Sequence, residues 1–254
     1  VCCKWQCLYA GAGLAIIYSI YLIKRCLWRK RNGIPYAKEL FDILLISLLF
    51  FIIVPVILYS LCYIPYAVGG QNFSLDIVID NQKYMFNYHS GVTATHSYGS
   101  RWWQWILDLR PILYYLQTPK DGYRSSFAAF GNPVLYWGGL LALICIAVRF
   151  FRHRDGRIAF IIIGWAAQIL PWIFISRVSF AYHYFPAELF LVLALCWVAN
   201  DWTERDKFGS RLMFISLPTA SIILFVLFYP VLSGVAVLKK FSYNVLKWFP
   251  SWPF

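Results

Sequence analysis

The sequence predicts a polytopic, all-α integral membrane protein, and three observations carry that prediction. Of 254 residues, 61% are hydrophobic and only 13% charged, about half the charged share of a soluble domain. Several apolar runs approach the ~20 residues that a helix needs to cross a bilayer. Those runs, such as "ILLISLLFFIIVPVIL" from Ile43, are continuous, whereas a membrane β-barrel alternates apolar and polar residues.

Six spans follow in order, at roughly 8–27, 41–66, 133–150, 158–176, 181–200 and 212–233. They divide the chain at approximately 1–66 (two helices of a preceding membrane core), 67–132 (an extracytoplasmic loop with interfacial helices), 133–235 (a four-helix membrane part) and 236–254 (an extracytoplasmic tail). Pro55, Pro65, Pro171 and Pro186 fall inside or near span ends, where membrane helices tolerate kinks. The chain starts with Val1, runs almost at once into an apolar stretch and has no signal-peptide pattern, which reads as a piece of a longer protein.

Orientation follows from the basic residues. Lys24, Arg25, Arg29, Lys30, Arg31 and Lys38 sit in one loop, Arg149, Arg152, Arg154 and Arg157 in a second, and Arg205, Lys207 and Arg211 in a third. Alternating spans put all three on one side, which the positive-inside rule makes cytoplasmic. The loop 67–132, the turn near Arg177 and both ends then face outward, or into a lumen. The net charge of +12 is accounted for by these loops and anionic headgroups, and no nucleic-acid module is present. Of the seven cysteines, Cys26, Cys62, Cys145 and Cys196 lie in or beside apolar spans, where cysteine acts as a small hydrophobe. Cys2, Cys3 and Cys7 lack metal-ligand spacing.

The outer segment differs from everything around it. Residues 69–83, "GGQNFSLDIVIDNQK", read as loop with room for a short strand, and 84–96 as a short interfacial helix. "NFS" at 72–74 matches an N-glycosylation triplet, a pattern common by chance. In "SRWWQWILDLRPILYYL", Trp102, Trp103, Trp105, Tyr114 and Tyr115 have the character of a headgroup-depth aromatic belt.

Chemistry-bearing side chains gather on this side: His89, His96, Ser100, Arg101, Arg110, Asn132, Arg177, His183, Tyr184 and Glu188. Each has a plain alternative. The tryptophans anchor the interface, the arginines pair with headgroups, the histidines bridge loop backbone, and Asn132 caps a helix. Glu188, a carboxylate at membrane depth, is costly to bury, with Arg177 and His183 as plausible ion-pair partners. Taken together, guanidinium forks suit a lipid-linked phosphate and aromatic faces suit a sugar or prenyl tail.

The segment "NYHSGVTATHSYGSRWWQWILDLRPILYY", followed by "GNPVLYWGG" and "RVSFAYHYFPA", resembles the C-terminal four-helix portion of the protein O-mannosyltransferases in their bacterial form. The resemblance implies a GT-C-type membrane glycosyltransferase that moves mannose from polyprenyl-phosphate-mannose to Ser or Thr hydroxyls of proteins on the outer side. It implies inversion, no metal and no cofactor beyond the lipid-linked donor. The donor or acceptor would be bound by His96, Ser100, Arg101, Trp102, Trp103, Arg110, Asn132, Arg177, His183, Tyr184 and Glu188. The chain departs from the family form "HPYSSPWWEWPL" by lost prolines, Gln104 in an acidic position and an added Arg101; Glu188 also stands where an apolar residue or proline is expected. The family's catalytic acidic pair belongs to a first outer loop near the N-terminus. It has no match here, where Asp76, Asp80, Asp108 and Asp121 are scattered. The competing readings are another lipid-phosphate-sugar transferase, separated by its acceptor, and a transporter fragment, which would place polar residues near the bilayer midplane.

Overall fold

The computed structural model describes residues 5–67, 73–203 and 206–254. Its chain forms two compact units, Val1–Val92 and Thr93–Phe254, and six helices are long and apolar enough to cross a membrane.

The first unit is a pair of long helices with a surface helix. Helix α1 (Cys7–Arg31) ends on Arg29, Lys30 and Arg31, cations that offset the negative C-terminal end of its dipole. Arg25 and Arg29 both reach Glu39 in the first turn of α2 (Ala37–Leu61), and Tyr18 OH meets Ser47 Oγ at 2.8 Å midway along the pair. Pro55 lacks an N–H and crowds the preceding turn, so α2 widens to a π-helical turn over Leu49–Ile53 just upstream.

Helix α3 (Leu75–Gly91) corrects one expectation: residues from Leu75 onward are helical, not loop or strand. The β-branched run Ile77-Val78-Ile79 favours strand locally, but tertiary bonds decide. Asn81 Nδ2 donates to Tyr63 OH (3.0 Å), and Gln82 Nε2 donates to Tyr59 OH (2.6 Å) and Tyr63 OH (2.7 Å). These two neighbouring residues clasp α3 to the C-terminal end of α2 and the turn that follows it. The expected loop at 69–72, with Asn72 of the glycosylation triplet, lies outside the described residues.

The second unit contains the other four crossing helices: α5 (Val134–His153), α6 (Gly156–Phe174), α7 (Phe185–Thr203) and α8 (Lys207–Ser233). Membrane helices associate through close packing over small residues. A Cβ on Gly139 would stand 2.6 Å from Leu191 Cβ, and one on Gly164 2.1 Å from the Phe190 ring, so α7 lies against both α5 and α6 where they carry hydrogen in place of a side chain. Pro171 turns the end of α6 into a 3-10 helix, Leu170–Phe174.

Ahead of α5 come the short helix α4 (Trp102–Ile106) and a hairpin of β1 (Ile112–Gln117) and β2 (Tyr123–Ala129). A third strand, β3 (Val237–Leu238), joins β2 antiparallel, giving the order β1-β2-β3. The sheet is an addition to the helical architecture that the sequence predicts. Its inner residues Leu113 and Ala128 meet Phe228 and Val231 of α8 and Leu246, Trp252 and Phe254 of the C-terminal segment in one buried cluster. The segment read as a tail is therefore core: Trp252 and Phe254 are fully buried, and Arg124 Nη2 donates to Pro253 O at 2.8 Å.

Candidate functional site

Two stretches of the second unit run side by side. Ser100 N–H donates to Ser179 O at 2.8 Å, and the His96 ring sits edge-on to Phe180 with centroids 5.2 Å apart. This pairing joins residues 96–101, leading into α4, to residues 177–184, leading into α7. Tyr98 N–H donates to His96 Nδ1 at 3.1 Å, and the ring is exposed.

Helix α4 begins at Arg101, which has no side-chain acceptor suited to a cap. Gln104 Oε1 supplies one, accepting from Arg101 N–H at 2.9 Å, the reciprocal half of a capping box. The Gln104 amide thus supplies the acceptor without a charge. The helix presents Trp105 inward, 2% exposed, with Nε1–H donating to Ser100 Oγ at 2.7 Å. Trp105 meets Trp172 edge-on at 5.6 Å, and His183 lies over Trp172 at 3.9 Å. Ser100, Trp105, Trp172 and His183 form a buried aromatic nest whose rim carries exposed Arg101 and Trp103, half-buried Trp102 and half-buried Arg177. The Arg177 charge acts on Tyr182, whose phenol burial pushes upward.

Below the nest lies a second group. Tyr184 is fully buried, accepts from Trp165 Nε1–H at 2.9 Å and packs edge-on against Tyr136 at 5.5 Å. Glu188, half-buried in the first turn of α7, faces this group. The expected ion pair with Arg177 or His183 is not formed: among the described residues Glu188 makes no salt bridge. His183 stacks on tryptophan instead, and the electrostatic neighbours of Glu188 are Tyr136, Tyr184 and Asp108.

Asp108 is the residue that the sequence left among scattered carboxylates. It closes α4 as a Schellman motif, with Leu109 N–H donating to Gln104 O and Asp108 N–H to Trp105 O. Its φ of 52° suits glycine or asparagine better than aspartate. The side chain is 3% exposed. Oδ1 accepts from Gly131 N–H at 3.3 Å, and among the described residues no group donates to Oδ2. Burial raises this carboxyl to about 8, the Gly131 N–H pulls the other way, and the Glu188 charge adds to the rise. Asp108 is therefore protonated at neutral pH. The sequence signal that could have marked it is a non-glycine residue two places past the end of a tryptophan-rich turn.

Two candidates have structural bonds that occupy much of their capacity. Arg110 donates from Nε to Gly99 O (3.2 Å) and from Nη2 to Ser97 O (2.6 Å), holding the loop before α4 in shape. Asn132 accepts from Val134 N–H and donates to Ser221 O (2.9 Å), capping α5 and tying it to α8. His89 ends α3 in the first unit. Among the described residues no group of three or more His, Cys, Asp or Glu could hold a metal ion.

With this geometry in view, the decisive comparison is the profile described as the C-terminal four TMM region of protein-O-mannosyltransferase, which matches residues 74–252. The chain belongs to the protein O-mannosyltransferase family. Its relatives include the polyprenol-phosphate-mannose–protein mannosyltransferase of Mycobacterium tuberculosis, 29% identical over 66% of this chain and 35% of the relative. Another is dolichyl-phosphate-mannose–protein mannosyltransferase 1 of Candida albicans, 27% identical over 70% of this chain and 22% of that protein. The solved Saccharomyces cerevisiae protein O-mannosyltransferase Pmt1-Pmt2 complex bound to the sugar donor shares the fold. Its TM-score is 0.58 at 22% identity, over 70% of this chain and 26% of that one. This chain thus spans about a third of the length of its mycobacterial relative.

Proposed function

We propose that this chain is the C-terminal membrane part of an enzyme that transfers mannose from polyprenyl-phosphate-mannose to Ser or Thr hydroxyls of proteins, at the extracytoplasmic face of a bacterial cell membrane. The observation that carries the reading is the family match over residues 74–252, whose span takes in the paired segments 96–101 and 177–184. The names of the relatives supply the donor class and the protein acceptor. The distribution of Lys and Arg supports the orientation.

In this reading Arg101 and Arg177 face the donor phosphate. A polyprenyl phosphate leaving group gains negative charge as the glycosidic bond breaks, and preorganised guanidinium groups stabilise that charge most where water is scarce. His183, stacked on Trp172 beside Trp105, backs the two arginines from the buried side, and His96, Trp102 and Trp103 are assigned to the sugar or acceptor side. Arg110 and Asn132 act by fixing backbone rather than by touching donor. Inversion requires one displacement, with a carboxylate taking the acceptor proton; no residue of this chain is assigned that role.

The test is mannose transfer from polyprenyl-phosphate-mannose to a Ser/Thr peptide, in membranes holding the polypeptide to which residues 1–254 belong. Arg101→Ala and Arg177→Ala are each expected to lower the rate about 10²-fold, while Lys at either position restores part of it. Rates equal to the unaltered protein in both variants remove these arginines from the donor site. Transfer to a lipid or glycan acceptor in place of the peptide would favour the other lipid-phosphate-sugar transferases.

A further inference from the structure

Helix α8 starts beside the basic end of the second unit, with Lys207 and Arg211 in its first turns, and finishes at the other end. A cationic cluster gathers there too. After Ser233 the chain pairs β3 onto β2, Tyr123 with Leu238 and Arg124 with Val237, and Lys239 N–H donates to Gly122 O at 2.9 Å. It then runs through helical turns at Lys239–Phe241 and Ser242–Leu246. Lys239, Tyr243 and Lys247 recur every four residues, a spacing that lines side chains on one side of a helix. Lys247 Nζ lies 5.7 Å from the Tyr243 ring centroid, the Arg124 guanidinium 4.9 Å from the same ring, and Lys120 Nζ 4.2 Å over the Tyr123 ring. The hairpin turn and the helical turns thus make one surface.

The charge on that surface is unbalanced. Residues 120–124 and 239–247 hold Lys120, Arg124, Lys239, Lys240 and Lys247 against a single carboxylate, Asp121, a surplus of four. Among the described residues none of these five cations forms a salt bridge. Arg124 is engaged internally, by Tyr243 OH and Pro253 O, which leaves the lysines. The cytoplasmic preference of basic residues accounts for the loop 149–157 and the start of α8, and so cannot account for a cluster at the far end of the same helix. The neighbours of the lysines indicate the medium: Val235, Leu238, Val245 and Trp248 are 37% to 52% exposed, interleaved with them just past the end of α8. Lysine stems over apolar surface, beside tyrosine and tryptophan, are the pattern of headgroup depth, where each cation adds to the attraction for anionic lipid. A soluble acidic segment would leave those apolar side chains uncovered.

We infer that this surface binds an anionic glycerophospholipid of the leaflet where α8 ends, with Lys239 and Lys247 pairing with the headgroup phosphate and Tyr243, between them, lying against the glycerol. The lipid takes no part in sugar transfer; it seats the sheet and the C-terminal segment on the membrane.

The experiment is photocrosslinking of the polypeptide to which residues 1–254 belong, in phosphatidylcholine nanodiscs carrying a trace of photoreactive phosphatidylglycerol or photoreactive phosphatidylcholine, with labelled peptides located by mass spectrometry. Phosphatidylglycerol is expected to label residues 239–248 about tenfold more than phosphatidylcholine; equal labelling overturns the site. Lys239→Gln/Lys247→Gln should bring the two lipids to parity, while Lys207→Gln/Arg211→Gln, the same loss of charge at the other end of α8, should leave the preference intact. A preference that survives the first pair, or is lost equally in both, overturns the proposal. Polyprenyl phosphate outcompeting phosphatidylglycerol at equal mole fraction would assign the surface to the donor lipid, and suppression by a Glu-rich peptide but not a Gln-rich one would assign it to a protein; either result overturns the phospholipid assignment. Circular dichroism checks folding. Should the Gln pair fail to fold, the unaltered protein in about 1 M salt, where charges are screened beyond about 3 Å, is expected to lose the preference several-fold, and a preference unchanged by salt overturns the proposal.

Discussion

The two ends of the second unit solve the same problem, polar groups where four membrane helices stop, in opposite ways. At the arginine-rich end, carboxylates are paired: Asp201 with Arg149 and Asp155 with Arg157, in side chains that keep partial or ample contact with solvent. At the aromatic end, Asp108 is nearly inaccessible and has a backbone N–H in place of a cation, while tryptophan, tyrosine and histidine rings form the surroundings. The difference shows that a carboxyl's behaviour is set by whether a cation partners it or burial isolates it. Paired and wet, Asp155 is held ionised; dry and unpaired, Asp108 keeps its proton.

The comparison breaks most visibly if the aromatic end is not one packed body. Trp252 is fully buried, donates from Nε1 to Asp108 O at 2.9 Å and packs on Phe228, Phe130 and Phe254. Trp252→Ala is expected to destabilise the unit by about 3–5 kcal/mol, measured by denaturant unfolding in detergent. A loss near zero would mean that the C-terminal segment is not part of the core.

A smaller effect sharpens the contrast in protonation. The folded Asp108 holds a proton up to about pH 8, whereas the unfolded chain releases it near the ordinary aspartate value of about 4. Stability should therefore fall as pH rises between those limits, with a slope approaching about 1.4 kcal/mol per pH unit, and level off above. Asp108→Asn keeps the acceptor for Gly131, tolerates the left-handed backbone and cannot ionise. Its unfolding midpoint should be flatter with pH than that of the unaltered protein and higher at pH 8. Parallel pH profiles for the two proteins would place the titration elsewhere.

The smallest effect belongs to the other end. Arg157 has 75% of its side chain exposed, and exposed ion pairs contribute less than about 1 kcal/mol. In lipid-free detergent Arg157→Gln should shift the unfolding midpoint by no more than that, and less in high salt. A loss as large as that of Trp252→Ala would contradict the contrast between the ends.

Much of the architecture was legible in the chain because hydrophobic length is a local property. All six crossing helices arise where apolar runs are long enough, within a few residues of the expected bounds, and the family likeness rests on contiguous motifs now matched over 74–252. The site was legible only in part. Ser100, Arg101, Arg177 and His183 do come from two adjoining stretches, as their shared side of the membrane suggested. Arg110 and Asn132 looked identical in character, yet their donors are directed to backbone carbonyls, a fact that depends on where the loop at 97–99 and Ser221 happen to lie.

What the sequence determined by itself is the membrane class, the six helices, the basic loops and the family, since each depends on composition or on neighbours along the chain. Only the tertiary structure decided that residues after Leu75 are helix, that 112–129 and 237–238 make a sheet, and that Trp252 and Phe254 are core. It alone brought Asp108 close to Glu188, 80 positions away. Those outcomes turn on hydrogen bonds and burial between distant residues, which dehydrate some polar groups and leave others in water, and no local window of sequence contains that information.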